Sequence, residues 1–109
     1  MEPHLPPPIA AYVKAENAGD VEALSECFAP DATVRDEGCT YEGLAEIKQW
    51  KAETRKKYKH TVTPLGVAVR NAKTILKARL VGNFPGSPIE LQFVFALEGD
   101  KIASMEIRP

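Results

Sequence analysis

Asp36 closes a short strand-like run, Thr33-Val34-Arg35, and is followed by Glu37-Gly38. A carboxylate in that place either caps the turn or serves as a base, in an apolar cavity where desolvation raises its pKa. His60 is one of two histidines, the other being His4 in a proline-rich segment, and nothing in the spacing demands contact between His60 and Asp36. Cys27 and Cys39 are too few for a disulfide framework or a zinc knuckle, and with two scattered histidines they make no metal site by number or spacing. Lys77, Arg79 and Glu90 are expected on the cavity face of adjacent strands. They form either a cross-strand Arg79–Glu90 pair near the rim or a contact for an acidic or strongly polar small molecule. There is no serine elbow, no Walker or Rossmann glycine pattern and no HExxH, and no cofactor is expected.

The elements that must position these groups follow from periodicity. After Pro6-Pro7-Pro8, the stripe Ile9, Ala10, Tyr12, Val13 and Ala15 fits a helix that stops at Gly19. Asp20 then caps a short second helix carrying Val21, Leu24, Cys27 and Phe28, ended by Pro30. Thr33 to Asp36 reads as a short strand and Glu37-Gly38 as a turn. Tyr41-Glu42-Gly43 leads into a third helix with Leu44, Ile47, Trp50 and Thr54 on one side, and Arg55, Lys56 and Lys57 form its solvated, dipole-favoured end. From His60 the period becomes two. Strands over about 60–70, 73–83, 88–97 and 101–107 are separated by Asn71-Ala72, Phe84-Pro85-Gly86-Ser87 and Glu98-Gly99-Asp100, which gives an antiparallel meander. Phe84, in the second of these turns, is placed to cover a cavity mouth.

Composition narrows the class. The 109 residues suit one compact domain over 1–109, with residues 1–8 as a flexible proline-rich tail, and 44% hydrophobic content supplies a core. Fourteen basic side chains balance fifteen acidic ones for a net charge of -1, which gives no general attraction to nucleic acid or anionic lipid. No apolar stretch approaches the roughly 20 residues of a bilayer span, and the N-terminus does not read as a signal peptide. Two free thiols in a reducing, cytoplasmic compartment are expected.

The runs Gly19-Asp20-Val21-Glu22-Ala23-Leu24 and Phe28-Ala29-Pro30-Asp31-Ala32-Thr33-Val34-Arg35-Asp36 resemble the N-terminal half of NTF2-like proteins. The ending Glu98-Gly99-Asp100-Lys101-Ile102, with Met105 and Ile107, resembles theirs as well. The resemblance spans nearly the whole chain and extends to SnoaL-like and ketosteroid isomerase-like members. It implies an α+β cone, three N-terminal helices packed on a curved antiparallel sheet. It also implies cofactor-free acid–base chemistry on a small hydrophobic carbonyl compound, by an isomerase or cyclase. By comparison with ketosteroid isomerases, Tyr12 falls at the oxyanion-donor position and Asp36 at the base position. The third position, an acid in those enzymes, falls on Gln92, a neutral amide. Phe28, Trp50, Arg79, Glu90 and Met105 would line the pocket.

Each assignment has a plainer counterpart: Tyr12 with its ring in the core, Gln92 as a satisfied strand amide, Trp50 and Phe28 as core. Three functions therefore compete: an isomerase or cyclase, a binding protein that uses the same cone without turnover, and an interaction domain in which the cone has closed. On the third strand of the meander, Ile89, Leu91, Phe93, Phe95 and Leu97 share one face and Glu90, Gln92, Val94 and Ala96 the other. One face packs on the helices, and a homodimer that buries the other, sheet against sheet, is expected.

Overall fold

The computed structural model describes residues 5–36, 38–57 and 59–109, with Lys57 described by its backbone alone. Glu37 of the expected turn and Met1–His4 of the expected tail lie outside the described residues. Helix α1 spans Pro7–Ala18, so Pro7 and Pro8 belong to the helix, in its first turn where a missing N–H costs nothing. It ends where the spacing places the stop. Gly19 takes a left-handed φ of 68°, Asp20 N donates to Ala15 O (3.0 Å) and Gly19 N to Glu16 O (3.2 Å), satisfying the last carbonyls. Asp20 then caps α2 (Val21–Glu26), its side chain accepting from Ala23 N at 3.1 Å.

The second helix is shorter than the stripe predicts. Phe28 sits in strand β1 (Phe28–Asp36) and not on α2, because Pro30 biases Ala29 toward extended backbone and Ile102 N already donates to Cys27 O at 2.8 Å. Strand β2 (Cys39–Glu42) intervenes before α3 (Gly43–Lys57), and the meander follows as β3 (His60–Arg70), β4 (Lys73–Gly82), β5 (Ile89–Glu98) and β6 (Lys101–Arg108). The six strands form one sheet in the order β2-β1-β6-β5-β4-β3. The sheet is mixed rather than antiparallel: β1 runs parallel to β6, with Val34 opposite Met105. These two strands are joined through α3 and the meander, not by a hairpin, so no turn forces them to oppose.

Register decides which side chains face the helices. Leu76 lies opposite Phe93, Thr74 opposite Phe95, and Phe95 opposite Met105, so this face carries the buried apolar set. Ile9 and Tyr12 of α1, Leu24 of α2 and Ile47 of α3 close over it. The sheet ends at β3, whose outer rung at Val62 is held by a side chain. Asn17 Oδ1 accepts from Val62 N (2.6 Å) and Asn17 Nδ2 donates to Val62 O (3.0 Å).

Candidate functional site

Tyr12 lies at the centre of the layer between helices and sheet, 1% exposed. Its ring meets Phe28 edge-on (6.0 Å between centroids), Phe95 edge-on (5.8 Å) and Phe93 at a tilt (6.4 Å). Its hydroxyl is buried, with the carboxylate of Glu16 as its hydrogen-bond partner. Burial first, then the negative charges of Glu16 and Asp36 and the hydrogen bond to Glu16, push the phenol well above its usual ionisation range. It therefore stays a protonated donor at neutral pH. Asp36 ends β1 on the same face as Val34, half-buried, and is close enough for its charge to act on the phenol.

One helical turn beyond Tyr12, Glu16 carries a carboxylate that is 1% exposed. Lys51 Nζ of α3 stands 2.8 Å from its Oε2, and His60 Nε2 of β3 stands 2.7 Å from its Oε1. The side chains of Lys51 and His60 are 5% and 7% exposed. Burial alone raises the Glu16 carboxyl, but the charge of Lys51 and the hydrogen bonds from His60 and Lys51 outweigh it and bring the pKa to about 2. Lys51 Nζ also lies 4.3 Å from the Trp50 ring centroid and 5.4 Å from that of Tyr12. Arg55, one turn along α3, donates through Nη1 to the carbonyls of Glu16 (3.3 Å) and His60 (3.1 Å). It thus turns back onto the fold instead of ending in a purely solvated run. Ionisable groups from α1, α3 and β3 meet in the interior.

The structure brings together some of the sequence-predicted residues and separates others. Asp36, Tyr12, Phe28, Trp50 and Met105 all belong to the helix-facing side, Trp50 with its ring stacked on Tyr41 at 5.1 Å. Gln92, Arg79 and Glu90 do not. Lys77 pairs with Gln92 and Arg79 with Glu90 in register, out of phase with Leu76 and Phe93, so all four point from the outer face and are exposed. Gln92 therefore stands on the opposite side of the sheet from Tyr12, and the placement of Lys77, Arg79 and Glu90 on the cavity face is corrected in the same way. What remains is a cross-strand cluster: Arg79 Nη2–Glu90 Oε2 at 3.4 Å and Lys77 Nζ–Glu90 Oε1 at 3.5 Å. Phe84 packs edge-on against the His60 ring at 6.4 Å, at the end of β3. Two surface grooves, of about 310 and 370 Å³, flank the α1–β3 junction and include Val67 and Val69, and Val13 and Val62, respectively. Neither is lined by Tyr12 or Asp36.

Sequence reasoning missed Glu16 and Lys51, and saw His60 without its partner. A signal existed. Ile9, Tyr12, Val13 and Glu16 fall at i, i+3, i+4 and i+7, which puts an acid on the buried stripe. Lys51 follows Ile47 by four residues in the same way on α3. Two opposite charges at core-facing positions of neighbouring helices call for each other. Among the described residues, no group of three or more His, Cys, Asp or Glu gathers as a metal site, and both cysteines are free thiols. No described helix is long and apolar enough to cross a membrane.

Comparison with known proteins places this arrangement. Among curated proteins, none matches the chain. A candidate polyketide cyclase from Sinorhizobium meliloti is 38% identical, superposes with a TM-score of 0.91, and aligns over 95% of each chain. A Catenulispora acidiphila protein with a ketosteroid isomerase-like fold, solved in complex with trimethylamine, is 24% identical with a TM-score of 0.85 over 97% of this chain and 87% of that one. SalBIII, an epoxide hydrolase/cyclase-like enzyme of pyran ring formation in salinomycin, is 23% identical with a TM-score of 0.80 over 93% and 86%. The last two likenesses concern the fold. The SnoaL-like domain model matches residues 9–105. With nearly its whole length so matched, the chain belongs to the SnoaL-like family, within the NTF2-like superfamily.

Proposed function

We propose that this protein is an enzyme that removes a proton next to the carbonyl of a small hydrophobic compound, without a cofactor, with Asp36 as the base and Tyr12 as the oxyanion donor. The observation that carries this reading is the Tyr12 hydroxyl: a buried donor kept protonated by its surroundings, close to a half-buried carboxylate on the same side of the sheet. Such a donor, set among apolar rings, can hydrogen-bond a substrate oxygen as negative charge develops on it. In the proposed step the Asp36 carboxylate takes the α-proton and becomes the neutral acid. The electron pair of the C–H bond moves onto the carbonyl oxygen, and the enolate oxygen accepts a hydrogen bond from Tyr12. Return of the proton to another carbon isomerises the substrate; attack of the enolate carbon on a second carbonyl closes a ring. The name of the Sinorhizobium relative supports the second outcome, since ring closure of a polyketide through a carbon–carbon bond begins with the same enolate.

Phe28, Trp50 and Met105 supply apolar walls. Gln92 takes no part. Because aromatic rings already fill the space around Tyr12, the guest is small and enters by displacing side chains. We also propose a homodimer through the outer sheet face.

Deuterium incorporation from D2O into simple enolisable ketones such as acetylacetone and cyclohexanone, followed by NMR, tests the chemistry. The wild-type protein is expected to accelerate exchange, Asp36→Asn to lose about 10²–10⁴-fold of that rate and Tyr12→Phe about 10²-fold. Exchange at the wild-type rate in Asp36→Asn removes the base. The packing of Tyr12 among Phe28, Phe93 and Phe95 favours a second reading, a closed domain that serves binding or interaction without turnover. Absence of any exchange by the native protein would select it.

A further inference from the structure

We propose that Glu16 is the positioning residue of this site: its carboxylate, pinned by Lys51 of α3 and His60 of β3, fixes the turn of α1 that aims Tyr12 and keeps one anionic charge beside the phenol. The proposal rests on the assignment of Tyr12 as oxyanion donor. It starts from an anomaly of burial, because a carboxylate, an ammonium and an imidazole are all more than nine-tenths covered in a core that apolar side chains would fill at lower cost.

The geometry gives the cluster a task. Tyr12 and Glu16 are one turn apart on α1, so they project from the same stripe of the helix. Glu16 is held from two directions, at 2.8 Å by Lys51 and at 2.7 Å by His60. Arg55 holds the backbone of the same residue through its carbonyl oxygen. With side chain and main chain both fixed, the preceding turn cannot rotate, and the Tyr12 ring has one place to stand. A donor that must not wander gains most from such support.

The titratable groups near Tyr12 come from α1, α3, β1 and the junction of α2 with β1, while β5 meets it with Phe93 and Phe95 alone. Glu16 lies on its own helix, Lys51 on α3 with its ammonium 5.4 Å from the ring centroid, and Asp36 on β1. Cys27 lies between α2 and β1, and His60 stands on the far side of the Glu16 contact, 2.7 Å from Oε1. Of the two carboxylates, Glu16 is the more deeply buried and is fixed by partners on both oxygens.

Alkaline titration of tyrosine absorbance tests this without any substrate. The chain has three tyrosines, and subtracting the Tyr12→Phe spectrum isolates the signal of Tyr12. In the wild type that signal is expected to appear above the range of an exposed phenol. In Glu16→Gln its midpoint falls by about one to three pH units, the size of a nearby charge effect. Should Glu16→Gln not fold, Glu16→Asp keeps the charge for Lys51 but draws it back by one methylene, and a smaller fall is expected. A midpoint that stays at the wild-type value in a folded variant overturns the proposal, as does a rise.

The two hypotheses fail separately. An unmoved Tyr12 titration, with proton exchange still dependent on Asp36, overturns the role of Glu16 and leaves the reaction standing. A titration that moves as expected, in a protein that exchanges no ketone proton, supports the coupling of Glu16 to Tyr12 and removes the reaction.

Discussion

Lys51 keeps its ammonium among the faces of Trp50 and Tyr12 and a single carboxylate, with 5% of its side chain exposed. Lys51→Met would leave Glu16 buried with only His60 opposite it. Removing one partner of a buried pair typically costs about 3–5 kcal/mol, and urea unfolding at pH 7 should show a loss of that size. Acid should reach the same contact from the other side. The Glu16 carboxyl, raised by burial but lowered further by Lys51 and His60, titrates at about 2 in the fold against 4.5 as the ordinary value. Its contribution is thus complete above about pH 4.5 and disappears as the pH falls toward 2, on the order of 3 kcal/mol in all. Unfolding midpoints between pH 6 and 2 should track this, and Glu16→Gln should flatten the fall. This residue pair was legible in principle from its spacing on two apolar stripes, whereas its link to His60 was not. That link depends on where β3 begins relative to the end of α1, which no local pattern encodes.

The helices and the meander announced themselves through caps and turns. Gly19, Asp20, Asn71-Ala72 and Glu98-Gly99-Asp100 all sit where the elements change. Gly19 carries more than a stop signal. Its φ is 68°, and a methyl group added there would lie 2.7 Å from Nη2 of Arg55, the side chain that holds the Glu16 and His60 carbonyls. Gly19→Ala is therefore expected to cost about 1–2 kcal/mol through the left-handed backbone alone, with the displaced guanidinium adding to it. Thermal denaturation measures the sum. Strand β2 was not legible, since four residues with one inward anchor, Tyr41, carry no alternation long enough to count. The parallel meeting of β1 and β6 was hidden for a different reason: partners some seventy residues apart leave no trace in either segment. The site inherited this split. Tyr12 and Asp36 lie on the interior side, but Gln92 was misplaced by sheet parity, one residue out of step with Phe93.

For the molecule as a whole, the outer sheet face decides how copies meet. Val94 is buried and Ile75 and Ala96 half-buried at its middle, while Glu106 stands beside Val94, Lys77 and Arg108 flank Gln92 on the next rung, and Arg79 faces Glu90 beyond it. That is a smaller apolar patch than the alternation of β5 suggests, framed by charges of both signs that a two-fold axis can set against each other. Sedimentation equilibrium at micromolar concentration should report a dimer, and Ile75→Glu a monomer; a wild-type monomer would refute the pairing. The opposite margin of the sheet tells another story. Every sheet that stops leaves peptide groups able to recruit a stranger's backbone, the step from which fibres grow. At Val62 the amide of Asn17 occupies both of those peptide groups. Two residues on, Pro64 offers no N–H, and the ladder is broken by a bulge before Gly66. A crowded solution of this protein thus finds the opening stretch of this outermost strand already answered from within, so that a stranger's backbone cannot add at the Val62 rung.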